Sequence, residues 1–395
     1  MTFYEFIQLR ETWENLLEKE ESKEFPEHRV IKQIKSVLTH QKYADFTERY
    51  LANFAIPKKT LLSKYNSSKK RTVYVYPGIY RLILKAMASF LLQNYNEKFC
   101  RNSIAYTEGR SVKSAFILLN QYKIKESDTV YKTDFSDYFN SIDIDLLDEK
   151  LKVFLTANNE LYELIMRLLR EPRVLYRKQE ELVLQKGVMA GSPIAGILAN
   201  IFMHDVDMLM YRHGHRYIRY ADDVLIVGTD AFNYFKEQIA KLNVTLNPKK
   251  TQILNIKTGI TFLGFHHVGK ITDISPEAKD KMKSRFKRRA RWYRQWMLRR
   301  NVKKEIALRD YIKKLNLKLY SDQEDSINWA KWYLPNINTI DSIKYLDEYL
   351  VSCIRYLDSG TWTRGKAFYR LSYKDIKELG FRSLVNEYYK LKNKS

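Results

Sequence analysis

The sequence predicts an α+β fold followed by an all-helical region, and three observations carry that reading. Short β runs alternate with helical stretches from Val130 to about His267. Apolar residues recur at helical spacing over residues 1–55 and again from Ser275 to the end. The 395 residues hold only 13 Gly and 8 Pro and are 45% apolar, enough to build real cores in two or three domains of about 150 residues each. Global disorder and collagen-like classes are thereby excluded, and no apolar run approaches the ~20 residues of a membrane span.

In chain order, Phe3, Phe6, Ile7 and Trp13, Leu16, Leu17 mark the first helices, and the Val30–Leu51 stretch continues them. No basic segment followed by an apolar one opens the chain, so no secretory signal is expected and the protein is assigned to the cytoplasm. The two cysteines, Cys100 and Cys353, suit a reducing compartment and are expected in the core. The Ser67-Ser68-Lys69-Lys70-Arg71 stretch leads into an alternating strand, Thr72–Tyr76, which Pro77-Gly78 ends before a long apolar helix to about Tyr95. Ser275-Pro276-Glu277 has helix-start chemistry: a Ser cap, Pro at the first position and an acid in the first turn.

Charge is concentrated rather than uniform. The formal net charge is +23, yet the first 24 residues are net −4 and Lys279–Lys304 carry thirteen Lys/Arg against Asp280 alone. A surplus of this size favours a polyanion, because each neutralised phosphate releases condensed counterions. Phe286, Trp292, Tyr293 and Trp296 lie among these cations. Trp292 and Trp296, at i, i+4 spacing, are expected to pack in the core while the cations reach phosphates.

Two segments carry the chemistry. In Thr129–Phe139 a β run delivers Asp134 at its C-terminal end. In Tyr217–Gly228 two apolar strands are joined by a turn bearing Asp222 and Asp223. Alone, an Asp-Asp pair reads as a polar hairpin turn. Together the two segments supply three acids from two hairpin edges, and an Asp-Asp pair suits a strand turn if a divalent cation absorbs its like charges, since Mg²⁺ takes one or two carboxylates plus phosphate oxygens and two such ions clamp an in-line phosphoryl transfer.

Tyr220-Ala221-Asp222-Asp223 within an apolar hairpin resembles the catalytic box of reverse transcriptases, and the Asp134 segment resembles their first catalytic motif. Others follow in the family's order. Leu246-Asn247-Pro248-Lys249-Lys250-Thr251 is similar to the segment whose lysine, here Lys250, approaches the incoming nucleotide. Phe262-Leu263-Gly264-Phe265 is similar to the primer-grip hairpin. Arg71–Pro77 and Ala105–Ser111 resemble fingers motifs. The likeness covers roughly residues 65–270.

The resemblance implies a right-hand polymerase fold. Its parts are an N-terminal helical extension (1–60), fingers (61–130), a palm (131–270, with a fingers-like insertion at about 150–186) and a helical thumb and C-terminal region (271–395). It implies RNA-directed DNA polymerase activity, in which a 3′-hydroxyl attacks the α-phosphate of a dNTP. Two Mg²⁺ ions, or Mn²⁺ in substitution, would be held by Asp134, Asp222, Asp223 and the backbone carbonyl of Phe135. Phe139 takes the sugar-gate position, while Asp137 is expected to be solvated or hydrogen-bonded. Anchoring on Leu198-Ala199-Asn200 places Ala190-Gly191 over the family's Gln-Gly, so a polar contact near the nucleotide is absent there. Thr107 stands where the fingers usually offer an Arg, with Arg71, Arg81, Arg110 and Lys85 as substitutes.

In the thumb, Arg285, Lys287, Arg288, Arg289, Arg291 and Arg294 are expected to grip an RNA or RNA–DNA duplex. About 90 residues follow the thumb, without an RNase H-like or endonuclease segment. Retron enzymes resemble it in size, and a retron-like reverse transcriptase is kept as an alternative, although the retron Asn-Ala-x-x-His and Val-Thr-Gly motifs are absent. The chain therefore resembles the stand-alone bacterial enzymes of the defence-associated and abortive-infection groups, type two most of all, which implies antiphage defence with a dedicated structured non-coding RNA as template and scaffold. Two other readings stay open: an untemplated or protein-primed DNA polymerase, and a non-enzymatic RNA-binding protein on a polymerase scaffold, against which the three intact aspartates speak.

Overall fold

The computed structural model describes residues 1–21, 28–40, 43–63, 70–320 and 329–393. The Ser67-Ser68-Lys69 part of the basic lead-in lies outside the described residues. Two compact units are present, the first ending at Leu254 and the second beginning at Asn255.

The first unit opens with four helices: α1 (Phe3–Gln8), α2 (Arg10–Glu21), α3 (His28–His40) and α4 (Tyr43–Ala52). Thr2 and Glu5 close a reciprocal capping box at the start of α1. Phe3, Ile7, Trp13 and Ile34 are fully buried, so these helices belong to the main core of the unit. Strands β1 (Lys58–Ser63) and β2 (Lys70–Val75) pair antiparallel, and α5 (Gly78–Tyr95) follows the Pro77 break. The helix α6 (Val112–Gln121) leads to β3 (Val130–Asp134), the short α7 (Tyr138–Ser141), then α8 (Ile144–Phe154) and α9 (Asn159–Arg170). The hairpin β4 (Arg173–Tyr176) and β5 (Gln179–Leu182) joins β1 in parallel, which completes a sheet of order β2-β1-β4-β5.

Helix α10 (Ala195–Arg212) is apolar nearly all round and accordingly buried. It is followed by β6 (Arg216–Tyr220), β7 (Asp223–Val227), α11 (Thr229–Ala240) and β8 (Gln252–Leu254). The second sheet has the order β6-β7-β3-β8, with α10 packing on β6 and α11 on β7. The middle strand β7 therefore reads as a continuous apolar run, Val224–Val227, rather than an alternating one.

The second unit starts with a three-stranded meander, β9 (Ile260–Phe262), β10 (Phe265–Val268) and β11 (Ile271–Ile274). Helices α12 (Pro276–Arg299), α13 (Lys304–Tyr320), α14 (Trp329–Tyr333), α15 (Asp341–Ser359), α16 (Lys366–Tyr369), α17 (Tyr373–Glu378) and α18 (Leu384–Lys392) complete it. Ser275 caps α12 through the Ala278 amide, with Pro276 at its first position, as the sequence indicates. The buried seam of α12 is Met282, Phe286, Ala290, Tyr293 and Met297. One expectation is overturned here. Trp292 is 57% exposed and only Trp296 is partly covered. The seam is already continuous at helical spacing, and Trp292 lies 100° around the helix from Tyr293. Both cysteines are buried and free.

No helix among the described residues is long and apolar enough to cross a membrane.

Candidate active site

The three aspartates belong to one sheet, not to two separate hairpin edges. Antiparallel pairing of β3 with β7 sets Asp134 directly opposite Asp223, and Asp222 sits in the β6–β7 turn. That turn is tight because Ala221 adopts φ +56°, a left-handed backbone that aims the two carboxylates off the strand ends. Asp134 is buried, and burial followed by the field of Asp222 pushes its carboxyl upward against the pull of Lys250. Asp223 is pushed up to about 6, first by burial and then by Asp222. The Lys250 ammonium donates to Asp134 Oδ2. Burial works against that ammonium, but the bond to Asp134 and the fields of Asp222 and Asp223 hold its pKa above the ordinary lysine value.

Asp134 Oδ1 is buried and accepts no hydrogen bond. Such an oxygen costs free energy unless a proton or cation reaches it. Among the described residues no three carboxylate, imidazole or thiol groups form a ready metal cage. The donor set nevertheless fits a divalent ion of the Mg²⁺ type, which takes few protein ligands and fills the rest of its shell with water and phosphate oxygens. The Phe135 carbonyl is also in keeping with this. The bridge between Phe135 and Leu246 is closed by the Asn247 amide on Asp134 O and the Ser136 amide on Thr245 O, so it leaves the Phe135 carbonyl out of the ladder.

A pocket wall forms around Phe139, which is buried on α7. The Arg71 guanidinium from β2 lies 6.0 Å from its ring, and Tyr106 meets it edge-on at 6.0 Å. Ala190 and Gly191 reach the same region: the Tyr74 amide donates to Ala190 O at 2.7 Å, and the Ala190 amide approaches Asn140 Oδ1 at 3.4 Å. The Ala190 methyl is itself buried, so this position offers structure rather than a polar contact. Gly187 must be glycine, since a Cβ there would stand 2.1 Å from Phe139 O. Asp137 accepts from Asn140 Nδ2 at 3.4 Å, a hydrogen-bonding role in the turn before Phe139.

Three candidate cations are not available to this wall. Arg110 donates to the backbone carbonyls of Phe99, Cys100 and Ser103, which fixes a loop and leaves its guanidinium committed. Arg81 lies in a recess lined by Glu20, Val30 and Val75, where Lys85 also stands 3.6 Å from buried Glu20. Of the proposed substitutes for an arginine at Thr107, only Arg71 is beside Phe139.

Two features escape a reading of the sequence. Arg219 is 1% exposed and binds Asp207 of α10 through Nε (2.9 Å) and Nη2 (2.5 Å), Ser103 Oγ (2.7 Å) and the carbonyl of Ala221 (3.1 Å). Tyr217 donates to the same Asp207 at 2.6 Å. The turn that bears Asp222 is thus tied to the core through its own backbone. Tyr106 is the second feature. It has φ +57°, its carbonyl segment is held by Asn200 Nδ2 (2.7 Å to Ala105 O), and its ring fits over Gly196, where a Cβ would stand 2.3 Å from it. Burial, then Asp222, raise its hydroxyl pKa, and Arg71 opposes them.

In the second unit, Phe262-Leu263-Gly264-Phe265 forms the β9–β10 turn, with left-handed Leu263 (φ +54°) and Gly264 (φ +84°). Helix α14 braces it: Trp332 Nε1 donates to Leu263 O at 3.4 Å and Tyr333 packs on Phe265. On α12, Arg285, Arg288, Arg289 and Arg291 are exposed. Arg294 instead binds the carbonyls of Leu357 and Asp358 at 3.0 and 3.1 Å, and Lys287 lies over Trp362 at 5.4 Å. Those two serve the packing of α12 on α15 and its following loop.

A sequence profile described as reverse transcriptase (RNA-dependent DNA polymerase) matches residues 56–267, more than half of the chain. No curated protein matches. Among solved structures, the chain is similar to the apo telomerase of Candida tropicalis truncated from its C-terminal domain (14% identity, 59% of each chain, TM-score 0.45). It is also similar to the apo telomerase of C. tropicalis (13% identity, 88% of this chain and 74% of that chain, TM-score 0.46). A third similarity is to the telomerase of Candida albicans in complex with a TWJ fragment of telomeric RNA (13% identity, 91% and 71%, TM-score 0.41). The chain spans 59% to 74% of the lengths of these proteins.

Proposed function

The chain belongs to the reverse transcriptase (RNA-dependent DNA polymerase) family, and from that premise we propose that it extends a 3′-hydroxyl with deoxynucleotides on an RNA template, using Asp134, Asp222 and Asp223 as its catalytic carboxylates. The observation that carries this reading is Asp134 set directly opposite Asp223, with Asp222 in the adjoining turn and the Lys250 ammonium on Asp134 Oδ2, while Asp134 Oδ1 is left unpaired. Asp134, Asp222, Asp223 and the Phe135 carbonyl would hold divalent ions, Mg²⁺ or Mn²⁺. When bound, these supply charge neutralisation to the reacting oxygens.

The protein's own part is positioning. Arg219 fixes the turn that aims Asp222, so little reorganisation is needed when charge develops. Lys250 is 63% exposed at its side chain and free to swing from Asp134 to a triphosphate. Arg71 supplies the cation that Thr107 lacks, and the Phe139 ring, edge-on to Tyr106 and carried on a backbone that packs against Gly187, excludes a ribose 2′-hydroxyl. The Phe262–Phe265 turn serves as primer grip, and exposed Arg285, Arg288, Arg289 and Arg291 track duplex phosphates.

The template is a dedicated structured non-coding RNA, and the biological setting is cytoplasmic antiphage defence of the type-two defence-associated or abortive-infection kind. The form of the Asp134 motif and the helical region after the palm support that placement. A second reading, untemplated or protein-primed synthesis, rests on Ala190, whose buried methyl replaces a polar side chain at the nucleotide. One experiment separates them: purify the protein from its source cells, sequence the copurifying RNA, and sequence the DNA made on adding Mg²⁺ and dNTPs, with an Asp222→Ala/Asp223→Ala control. DNA complementary to one RNA establishes templated synthesis. DNA matching no bound RNA favours the second reading, and incorporation undiminished in the double variant overturns the site.

A further inference from the structure

We propose that the flank of α12 carrying Trp292 and Trp296 is a stacking platform for unpaired bases of a single-stranded nucleic acid, distinct from duplex gripping by phosphate contacts. The proposal rests on the reading that the protein handles nucleic acid.

The helix has two polar flanks, and they are used differently. On one, Lys283 lies over Tyr345 and Tyr349 (5.1 and 5.5 Å), Lys287 over Trp362, and Arg294 on the carbonyls at the end of α15. That flank is an internal packing surface of the unit. The other flank holds Arg285, Arg288, Trp292, Trp296 and Arg299, which helical spacing brings to one side. Among the described residues none of these three arginines forms an ion pair with a carboxylate, and all are exposed.

The two indoles are stacked, parallel within 4° with centroids 6.2 Å apart, and Trp292 is the more exposed member of the stack. Tyr293 meets both edge-on, at 5.0 and 5.7 Å, and its own ring is buried and anchored by its hydroxyl on Asp310 at 2.8 Å. The orientation of exposed Trp292 and partly covered Trp296 is therefore set by a buried neighbour rather than by solvent. Positive charge is also gathered beside it. Lys318 of α13 is depressed by burial and then by the fields of Arg285 and Arg289, which shows three cations close together.

An exposed indole held flat between unpaired arginines suits a ligand that is both planar and anionic along its length. A duplex satisfies the arginines but conceals its base faces. A protein segment of acidic residues satisfies the charge but not the paired flat rings. A single strand satisfies both, and stacking tolerates any base because every base has a π-face.

The test uses the full chain and fluorescence anisotropy with labelled oligouridine, oligoadenine and a blunt RNA–DNA duplex of equal length. Trp292→Ala/Trp296→Ala should weaken single-strand binding roughly 10- to 100-fold while leaving duplex affinity within about twofold. Trp292→Phe should retain most of the affinity and Trp292→Leu should lose it, since Leu keeps the apolar bulk without the π-face. Equal losses on strand and duplex, no loss on either, or Leu performing as well as Phe would each overturn the platform. Primer extension on a preannealed primer–template, measured in parallel, keeps the two readings apart. If the protein incorporates no nucleotide but its strand binding depends on Trp292, the platform stands and the polymerase reading falls.

Discussion

Arginine is deployed in opposite ways under the Asp222–Asp223 hairpin and along α12. Arg219 is buried and Arg110 partly so, and both are committed to carbonyls, a hydroxyl or a carboxylate of the protein itself. Arg285, Arg288, Arg291 and Arg299 are exposed and form no carboxylate pair among the described residues. The lesson is that a cation's role follows from what its donors already hold. A buried, satisfied guanidinium builds the site, whereas an unsatisfied one at the surface awaits an external anion.

The predictions break this comparison at successive points. Asp134→Asn should abolish nucleotide incorporation, a loss of at least about 10³-fold, with the far-UV spectrum and melting temperature retained. Retained activity would remove Asp134 from the reaction. Arg219→Ala should destabilise by about 3–5 kcal/mol, because it leaves the Asp207 carboxylate buried without its partner. Urea denaturation measures this, and Arg288→Ala, its exposed counterpart, should change stability by less than about 0.5 kcal/mol.

Asp223→Asn separates charge from fold. The folded pKa of Asp223, about 6, lies above the ~3.9 of an unfolded Asp, so the folded state favours the protonated form. The stability this contributes is complete below pH 4 and is lost as pH rises through 6. In chelator, Asp223→Asn should therefore gain up to about 3 kcal/mol over the natural protein at pH 7.5 and nothing at pH 4, and Mg²⁺ should raise the melting temperature of the natural protein more than that of the variant. Gly196→Ala should displace the Tyr106 ring and raise the KM for dNTP severalfold with a smaller effect on stability. Finally, Arg288→Glu/Arg291→Glu should flatten the salt dependence of nucleic-acid binding, by about one unit of slope per lost phosphate contact.

How much of this was legible in the sequence depends on whether the signal was local. The Asp134 run and the Tyr220–Asp223 hairpin were legible because strand alternation and turn chemistry sit beside the carboxylates. The Ser275-Pro276-Glu277 helix start was legible for the same reason. Arg71 and Arg110 were not distinguishable, because three carbonyls around Cys100 decide the matter and carbonyls have no sequence code. Trp292 was misjudged because an i, i+4 pair is equally consistent with a buried seam and with a stripe beside one. The Arg219 network joins Ser103, Asp207 and Ala221 from three separate elements, and no spacing announces it.

Asn200 and Asp207 of α10 are seven residues apart, which returns to nearly the same side of a helix at a rise of about 10 Å. One holds the Tyr106 segment and the other holds Arg219, and Ser103 links the two clamps, donating to Asn200 Oδ1 at 3.4 Å and accepting from Arg219 Nη2 at 2.7 Å. The helix thus works as a jig that sets the distance between the Tyr106 wall and the turn that bears Asp222. Neither surface has its own adjustment. A single residue inserted between Asn200 and Asp207 would turn one clamp about 100° away from the other, so variation in this pocket is expected to spare the length of that segment while it changes the loops on either side.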